Sequence, residues 1–309
     1  MSKIDIKQQV TDKIIKHLES YHGEWEKPFF SVGPDCNIKS NKPYRGINTL
    51  LLAMAGYNSS YWGTWNQWFE AGGGVKEKIN GKMVITKPSK YNVKAGEKAT
   101  HIVFFKPITK EDADGQVTDK FFVLRGYSVF NLEQIEGIEK GKFREPEAKV
   151  SFCDLPVAES LMADSGIKIK HSNSDRAFYT AGEDFVHLPN KENFTATKTS
   201  TALECYYSTA FHELGHATGH PTRLNRKLGN RFGSKPYAGE ELIAELTSAM
   251  LCAITGVSQS VRLDHVKYLQ SWLEVLKDDK NAIFYASAQA QKATDFLTAV
   301  EEQDEVLSA

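Results

Sequence analysis

The segment His212-Glu213-Leu214-Gly215-His216 constrains this chain more than any other. Two imidazoles four residues apart on a helix project from one face and can grip one cation, while the glutamate between them stands about 100° round the axis. A catalytic site of this kind takes three protein ligands and leaves a fourth position for water. The fold must therefore dock a second element against this helix and bring a third donor with it.

Two places offer that donor. His220 lies on the same side, but Gly219 breaks the helix before it, and the longer histidine pattern of some metallopeptidases would put its third histidine at Thr222. His220 thus reads as a loop residue or a neighbour of the site. The better source is Gly239-Glu240-Glu241-Leu242-Ile243-Ala244-Glu245 at the expected start of the next helix. Glu241 and Glu245 share a face, so Glu241 can bind the metal while Glu245 supports a histidine through its other nitrogen. Glu240 points about 100° away and reads as an acid favoured by the first turn of a helix.

A chain of 309 residues is long enough for two cores of ordinary size. No apolar run approaches the roughly 18 residues that span a bilayer, and the first residues lack the apolar stretch of a secretory signal. A cytoplasmic protein with no membrane partner is expected. Cys36, Cys153, Cys205 and Cys252 are far apart and form no Cys-x-x-Cys pair, so free thiols are expected rather than a disulfide frame. The net charge of −1 conceals an asymmetry: residues 1–150 hold 23 Lys+Arg against 18 Asp+Glu, leaving 15 against 21 for the remainder. The basic excess gathers at Lys76, Lys78, Lys82, Lys87, Lys90, Lys94 and Lys98, a surface suited to phosphates or a solvated loop.

Periodicity predicts an amphipathic helix over 4–20, a second from Asn48 to Ala55 capped by Asn48, and a third capped by Thr64 and running through Phe69. Short β-rich runs follow at 83–85, 101–105 and 121–130. The charged stretch 137–150 reads as a linker, which divides the chain into domains 1–145 and 146–309. In the second, a helix at 155–164 and strands at 167–171 and 185–188 precede two helices, 200–218 and 239–254. The class is α+β, a small α+β domain followed by a metallopeptidase-like one.

Residues across the second half resemble the metallopeptidase domain of ArdC-type antirestriction proteins, a gluzincin-like fold. They are His187-Leu188-Pro189, Phe194, Tyr206-Tyr207, the run Phe211 to His220, Arg223-Leu224 and Tyr237 to Glu245. The resemblance implies a zinc ion, with Mn2+ as another divalent choice, bound by His212, His216 and a glutamate of the second helix, Glu241 or a neighbour. It also implies Glu213 as general base in amide hydrolysis. Tyr237, His220 and Arg223 are open choices for the group that stabilises the developing oxyanion.

Trp62, Trp65 and Trp68, spaced by three, would form one aromatic stripe on a helix. Such a stripe is usually core, the alternative being platforms for unstacked bases. Pro43-Tyr44-Arg45-Gly46-Ile47-Asn48, Trp62 to Trp68, Lys94 to Thr100 and Tyr127 to Asn131 are similar to the N-terminal single-stranded-DNA-binding domain of the same family. That similarity implies DNA contacts from Tyr44, Arg45, Trp62, Trp65, Lys94 and Lys98. The insert from Gly73 to Tyr91 is longer than the family pattern.

Three functions fit these readings. The first is an antirestriction protein of a mobile element that binds single-stranded DNA and carries a zinc-dependent peptidase-like domain. The second is a DNA-coating protein with a silent, structural metal. The third is a protease of a specific host protein that uses DNA for localisation.

Overall fold

The computed structural model describes residues 5–19, 34–111, 117–139, 141–143, 155–197, 200–226, 235–257 and 272–299. Helix α1 (Ile6–Glu19) leads to β1 (Cys36–Asn37), α2 (Ile47–Ala53), β2 (Tyr61–Thr64) and α3 (Trp65–Ala71). Strands β3 (Val75–Ile79), β4 (Lys82–Lys87), β5 (Asn92–Val93), β6 (Thr100–Glu111), β7 (Val117–Asn131) and β8 (Ile135–Glu136) complete the N-terminal half. Its sheet has the order β1-β2-β7-β6, antiparallel except for the parallel pair β1 and β2.

Two local expectations are corrected here. The tryptophans do not share one helix. Thr64 caps α3 by accepting from the Gln67 N–H while the Gln67 side chain accepts from the Thr64 N–H, so Trp62 falls on the preceding strand and the stripe is cut. Asn48 is not a helix cap either. The cap is Gly46, at φ 57°, and Asn48 is buried as the second residue of the helix, donating to the Val103 carbonyl and accepting from the Val103 N–H. Its amide ties α2 to β6, satisfying a backbone that would otherwise be buried unpaired.

The C-terminal half contains α4 (Pro156–Asp164), β9 (Lys168–Ser172), β10 (Phe178–Thr180), β11 (Phe185–Pro189), α5 (Ala202–Ala217), α6 (Lys235–Thr255) and α7 (Ala282–Thr298), with residues 272–278 also helical. The three strands form a sheet of order β10-β11-β9. Helix α6 begins four residues before the expected start. Glu240 and Glu241 therefore lie in its second turn and not at its N-terminus.

One apolar cluster runs through both halves. Val10 and Ile14 of α1, Leu50 and Leu51 of α2 and Val103 of β6 pack with Leu242, Ile243, Leu246 and Met250 of α6 and with Trp272, Leu276, Phe284 and Ala290. Polar contacts follow the same seam. The Gly46 N–H donates to Gln291 Oε1 at 2.9 Å, and Thr11 Oγ1 donates to the Lys280 carbonyl at 2.9 Å. A second cluster fills the peptidase-like half, where Tyr206, Tyr207, Phe211 and Leu214 of α5 pack with Val186 and Leu188 of β11 and Leu251 of α6. Of the expected linker 137–150, residues 140 and 144–150 lie outside the described residues, as does Cys153. Cys36, Cys205 and Cys252 are free thiols.

Candidate metal centre

Helix α5 starts on Thr201, whose hydroxyl accepts from the Glu204 N–H while Glu204 accepts from the Thr201 N–H. From that start the helix is buried along most of its length and delivers His212, Glu213 and His216 to its C-terminal half. Gly215 lets α6 lie close. A Cβ on Gly215 would stand 3.2 Å from the Ala244 Cα and 3.3 Å from both the Ala244 carbonyl oxygen and the Thr247 Cβ. The x position of the motif thus sets how near the two helices pass.

At that distance the donors converge. His212 Nε2 and His216 Nε2 face each other at 3.1 Å, and the Glu241 carboxylate stands 3.5 Å from the first and 3.6 Å from the second. Ligand atoms about 2.0–2.1 Å from a tetrahedral ion lie roughly 3.3–3.4 Å from one another, so this triangle has the size of one face of such a site. The donor set, two imidazoles and a carboxylate, fits a first-row divalent ion.

The outer nitrogens are held by acids of the same helix. Glu245 Oε1 lies 2.8 Å from His212 Nδ1, at an angle outside a regular hydrogen bond, and Glu240 Oε1 lies 3.4 Å from His216 Nδ1. Glu240 is in turn gripped by Arg226. Nη2 donates to Oε1 at 2.7 Å and Nε to Oε2 at 3.1 Å, while the remaining guanidinium donors reach the Gly215 carbonyl at 2.7 Å and Thr218 Oγ1 at 2.8 Å. Burial of both imidazoles opposes their charged form, yet the surrounding carboxylates outweigh it. Glu245 and Glu241 hold His212 up at about 9, and Glu240 and Glu241 hold His216 up at about 10. The same partners overcome burial at Glu241 and keep its carboxyl far below the usual range.

Glu240 is therefore no first-turn acid answering a helix dipole. It is a buried link between Arg226 and His216, a role sequence reading missed because it depends on how the loop after α5 closes. The signal available was a third acid beside two others, which once buried demands a cation. Sequence alone does not choose that cation from Arg223 and Arg226. In the structure Arg223 is spent elsewhere, on Asp184, Tyr179 and the Ala217 carbonyl, which leaves it unsuited to meet an oxyanion. His220 bonds Thr222 Oγ1 at 2.7 Å and stands 3.8 Å from Asp184, apart from the donor triangle. Glu213 is buried and forms no hydrogen bond or ion pair among the described residues, so its oxygens remain free acceptors.

The matches to known proteins fall on two stretches of the chain. A zincin-like metallopeptidase family profile matches residues 156–289, and the N-terminal domain of the anti-restriction factor ArdC matches residues 4–130. The crystal structure of the metal-free antirestriction protein ArdC of plasmid R388 is 35% identical, with a TM-score of 0.71 over 96% of this chain and 97% of that one. The chain belongs to the ArdC antirestriction family. The Mn(II)-bound structure of the same R388 protein superposes with a TM-score of 0.70 at 33% identity, over 96% of this chain and 98% of that one. An uncharacterised protein of Sinorhizobium fredii, y4eC, is 35% identical over 96% of this chain and 92% of its own length. The DNA primase TraC of Escherichia coli is also 35% identical over 96% of this chain, which spans only 27% of the primase. Among the described residues no helix is long and apolar enough to cross a membrane.

The six residues expected to touch DNA are scattered in this ArdC-family chain. Trp62 is 1% exposed, with its indole N–H donating to Asp35 at 2.7 Å, and Tyr44 is buried with its hydroxyl pushed up to about 12 by desolvation. Both are core rings with no free face, so the expectation of base contacts is corrected for them. Arg45 also departs from expectation. Its guanidinium meets Asp295 of α7 at 2.5 Å, because a buried carboxylate on that helix needs a cation. Trp65, by contrast, is 41% exposed and stacks on Phe69. Lys98 is exposed, and Lys94 is exposed with its ammonium donating to the Glu133 carbonyl at 2.7 Å.

Proposed function

We propose that this chain is an antirestriction protein of a mobile element, with an N-terminal region ending near residue 145 that binds single-stranded DNA and a C-terminal, zinc-dependent peptidase domain. The observation that carries the peptidase reading is the convergence of His212 Nε2, His216 Nε2 and the Glu241 carboxylate beside a free Glu213. These three donors would hold the ion, which when bound would supply Lewis acidity toward water and a peptide carbonyl. Glu245 and Glu240 fix the two rings through their Nδ1 atoms, and Arg226 fixes Glu240. Glu213, one residue beyond His212, takes the proton from water and returns it to the leaving amine.

The DNA reading rests on family membership and on an exposed aromatic ring, Trp65, beside exposed lysines in the N-terminal half. Flat rings for bases and cations for phosphates are what a single strand requires.

The deciding experiment is Glu213→Gln. The variant should retain metal, melting temperature and single-strand affinity while any peptide hydrolysis falls by about two to four powers of ten, since an amide cannot accept the proton. Protection of incoming DNA from restriction is measured alongside. Collapse of protection establishes that hydrolysis serves it, and a cleaved host protein is then sought by comparing proteomes. Full protection rejects proteolysis as the mechanism and leaves DNA coating.

A further inference from the structure

The β3–β4 ribbon is closed by Asn80 and Gly81, both at positive φ, 50° and 80°, the pattern of a two-residue turn that matches strand twist. Among the described residues it pairs with no other strand. Every residue from 77 to 88 is exposed. Cross-strand register places Lys76 with Ile85 and Lys78 with Met83 on one face, and Glu77 with Val84 and Ile79 with Lys82 on the other. Each face thus mixes lysine with exposed apolar side chains, and Met83 is 64% exposed. Lys78, Lys82 and Lys87 form no ion pair among the described residues.

Such a ribbon is marginal by itself, and bare apolar groups on both sides mark a surface that is covered in use. Its root adjoins an aromatic platform. The Lys76 ammonium sits 4.3 Å from the Trp65 ring centroid and donates to Asn66 Oδ1, which places the exposed indole at the foot of the ribbon.

We propose that this ribbon inserts at the junction of single-stranded and duplex DNA, its two faces contacting the two separating strands, with Trp65 stacking an unpaired base. The proposal rests on the single-strand reading above and adds the forked substrate to it. Lysines on both faces complement a polyanion on both sides. A lone strand crossing the domain meets one face only, whereas a fork presents a strand to each, and its unstacked bases offer the apolar contacts that Met83, Ile85, Ile79 and Val84 need.

The test is fluorescence anisotropy of the full chain with a labelled single strand, a blunt duplex and a forked duplex of matched sequence, plus vesicles of phosphatidylserine and phosphatidylcholine. The fork should bind about five-fold or more tightly than the single strand, the lower end of what one stacked base contributes. Met83→Ser/Val84→Ser changes one exposed residue on each face. It should erase that preference, keep single-strand affinity within about two-fold and leave the melting temperature unchanged. Lys78→Gln/Lys82→Gln should weaken all DNA binding and flatten the salt slope by about 1.5. Single-strand binding with no fork preference, or a preference that survives Met83→Ser/Val84→Ser, overturns the junction proposal alone. No DNA binding at all defeats the broader single-strand reading with it. Vesicle binding that the serine pair abolishes, with fork preference untouched, assigns the ribbon to a membrane surface and also overturns the proposal.

Discussion

Arg226 holds Glu240 by two parallel hydrogen bonds, at 2.7 and 3.1 Å, and both side chains are buried. The pair is charge-assisted and close to His216, so it steadies one ring of the candidate centre without joining the donor triangle itself. Removing one partner of a buried ion pair leaves the other charged and unmatched, at about 3–5 kcal/mol. Arg226→Gln should lower the melting temperature and weaken metal binding by about 10- to 100-fold, read by competition with a chromophoric chelator. Normal metal affinity in a folded Arg226→Gln protein would show that Glu240 needs no anchor.

The ligand triangle predicts a different pattern. His212→Ala, His216→Ala and Glu241→Ala should each abolish stoichiometric metal and the rise in melting temperature that metal gives the parent protein. Elemental analysis after desalting reads this directly. Retention of one equivalent by Glu241→Ala would move the third ligand to another acid.

The histidines predict a pH dependence. In the metal-free protein their pKa values are raised from 6.5 to about 9 and about 10. Stability from their pairing with the carboxylates is then fully present below 6.5 and is lost as pH rises through 9 to 10. Glu241 is lowered from 4.5, so its share is present above that value and is lost on acidification. Melting curves of the metal-free protein should therefore decline between pH 7 and 10. Metal uptake near pH 7.5 should release protons, measured by calorimetry in two buffers of different ionisation enthalpy. Proton-neutral uptake would contradict protonated imidazoles.

Gly215 predicts a steric effect. Its missing side chain sets the α5–α6 approach, so Gly215→Val should push the helices apart, cost about 1–3 kcal/mol or more and loosen the donor triangle. Gly215→Ala meets atoms at 3.2–3.3 Å and should have a smaller effect on melting and metal affinity. Unchanged metal binding in the valine variant would mean that the helix spacing is not what gathers the ligands.

The seam between the halves predicts that residues 1–145 alone fold poorly. Without α6 and α7, Val10, Ile14, Leu50 and Leu51 lose their apolar partners. The fragment should show weak cooperativity by circular dichroism and should aggregate. A sharp melt like that of the full chain would show that the N-terminal core suffices. Arg45→Ala in the full chain should lower the melting temperature, since it strips Asp295 of its cation.

What was legible in the sequence is what depends on short spacing. The placement of His212 and His216 on one helical face, the Thr64 and Thr201 caps and the Glu241–Glu245 spacing are all local. Asn48 looked like a cap because its type favours caps, but tertiary contact with Val103 decided its role. Three tryptophans at i, i+3 and i+6 suggest one face only if a helix includes them all, and the Thr64 cap splits them between strand and helix. Helix α7 gives a faint apolar signal in the sequence because much of its buried face is small or polar: Ala286, Ser287, Ala290, Ala293 and Thr294. Arg226 and the Arg45–Asp295 pair join residues whose proximity only the closed fold creates.

Helix α6 turns Glu240, Glu241 and Glu245 toward α5, while Leu242, Ile243 and Leu246 enter the apolar cluster shared with Val10 and Ile14 of α1 and Leu50 and Leu51 of α2. A recombination joint between the two halves would keep the acids with their imidazoles, since α5 and α6 lie on the same side of it, but would strip Leu242, Ile243 and Leu246 of Val10, Ile14, Leu50 and Leu51. A C-terminal half set beside an unrelated N-terminal partner would therefore need a new apolar covering for that side of α6.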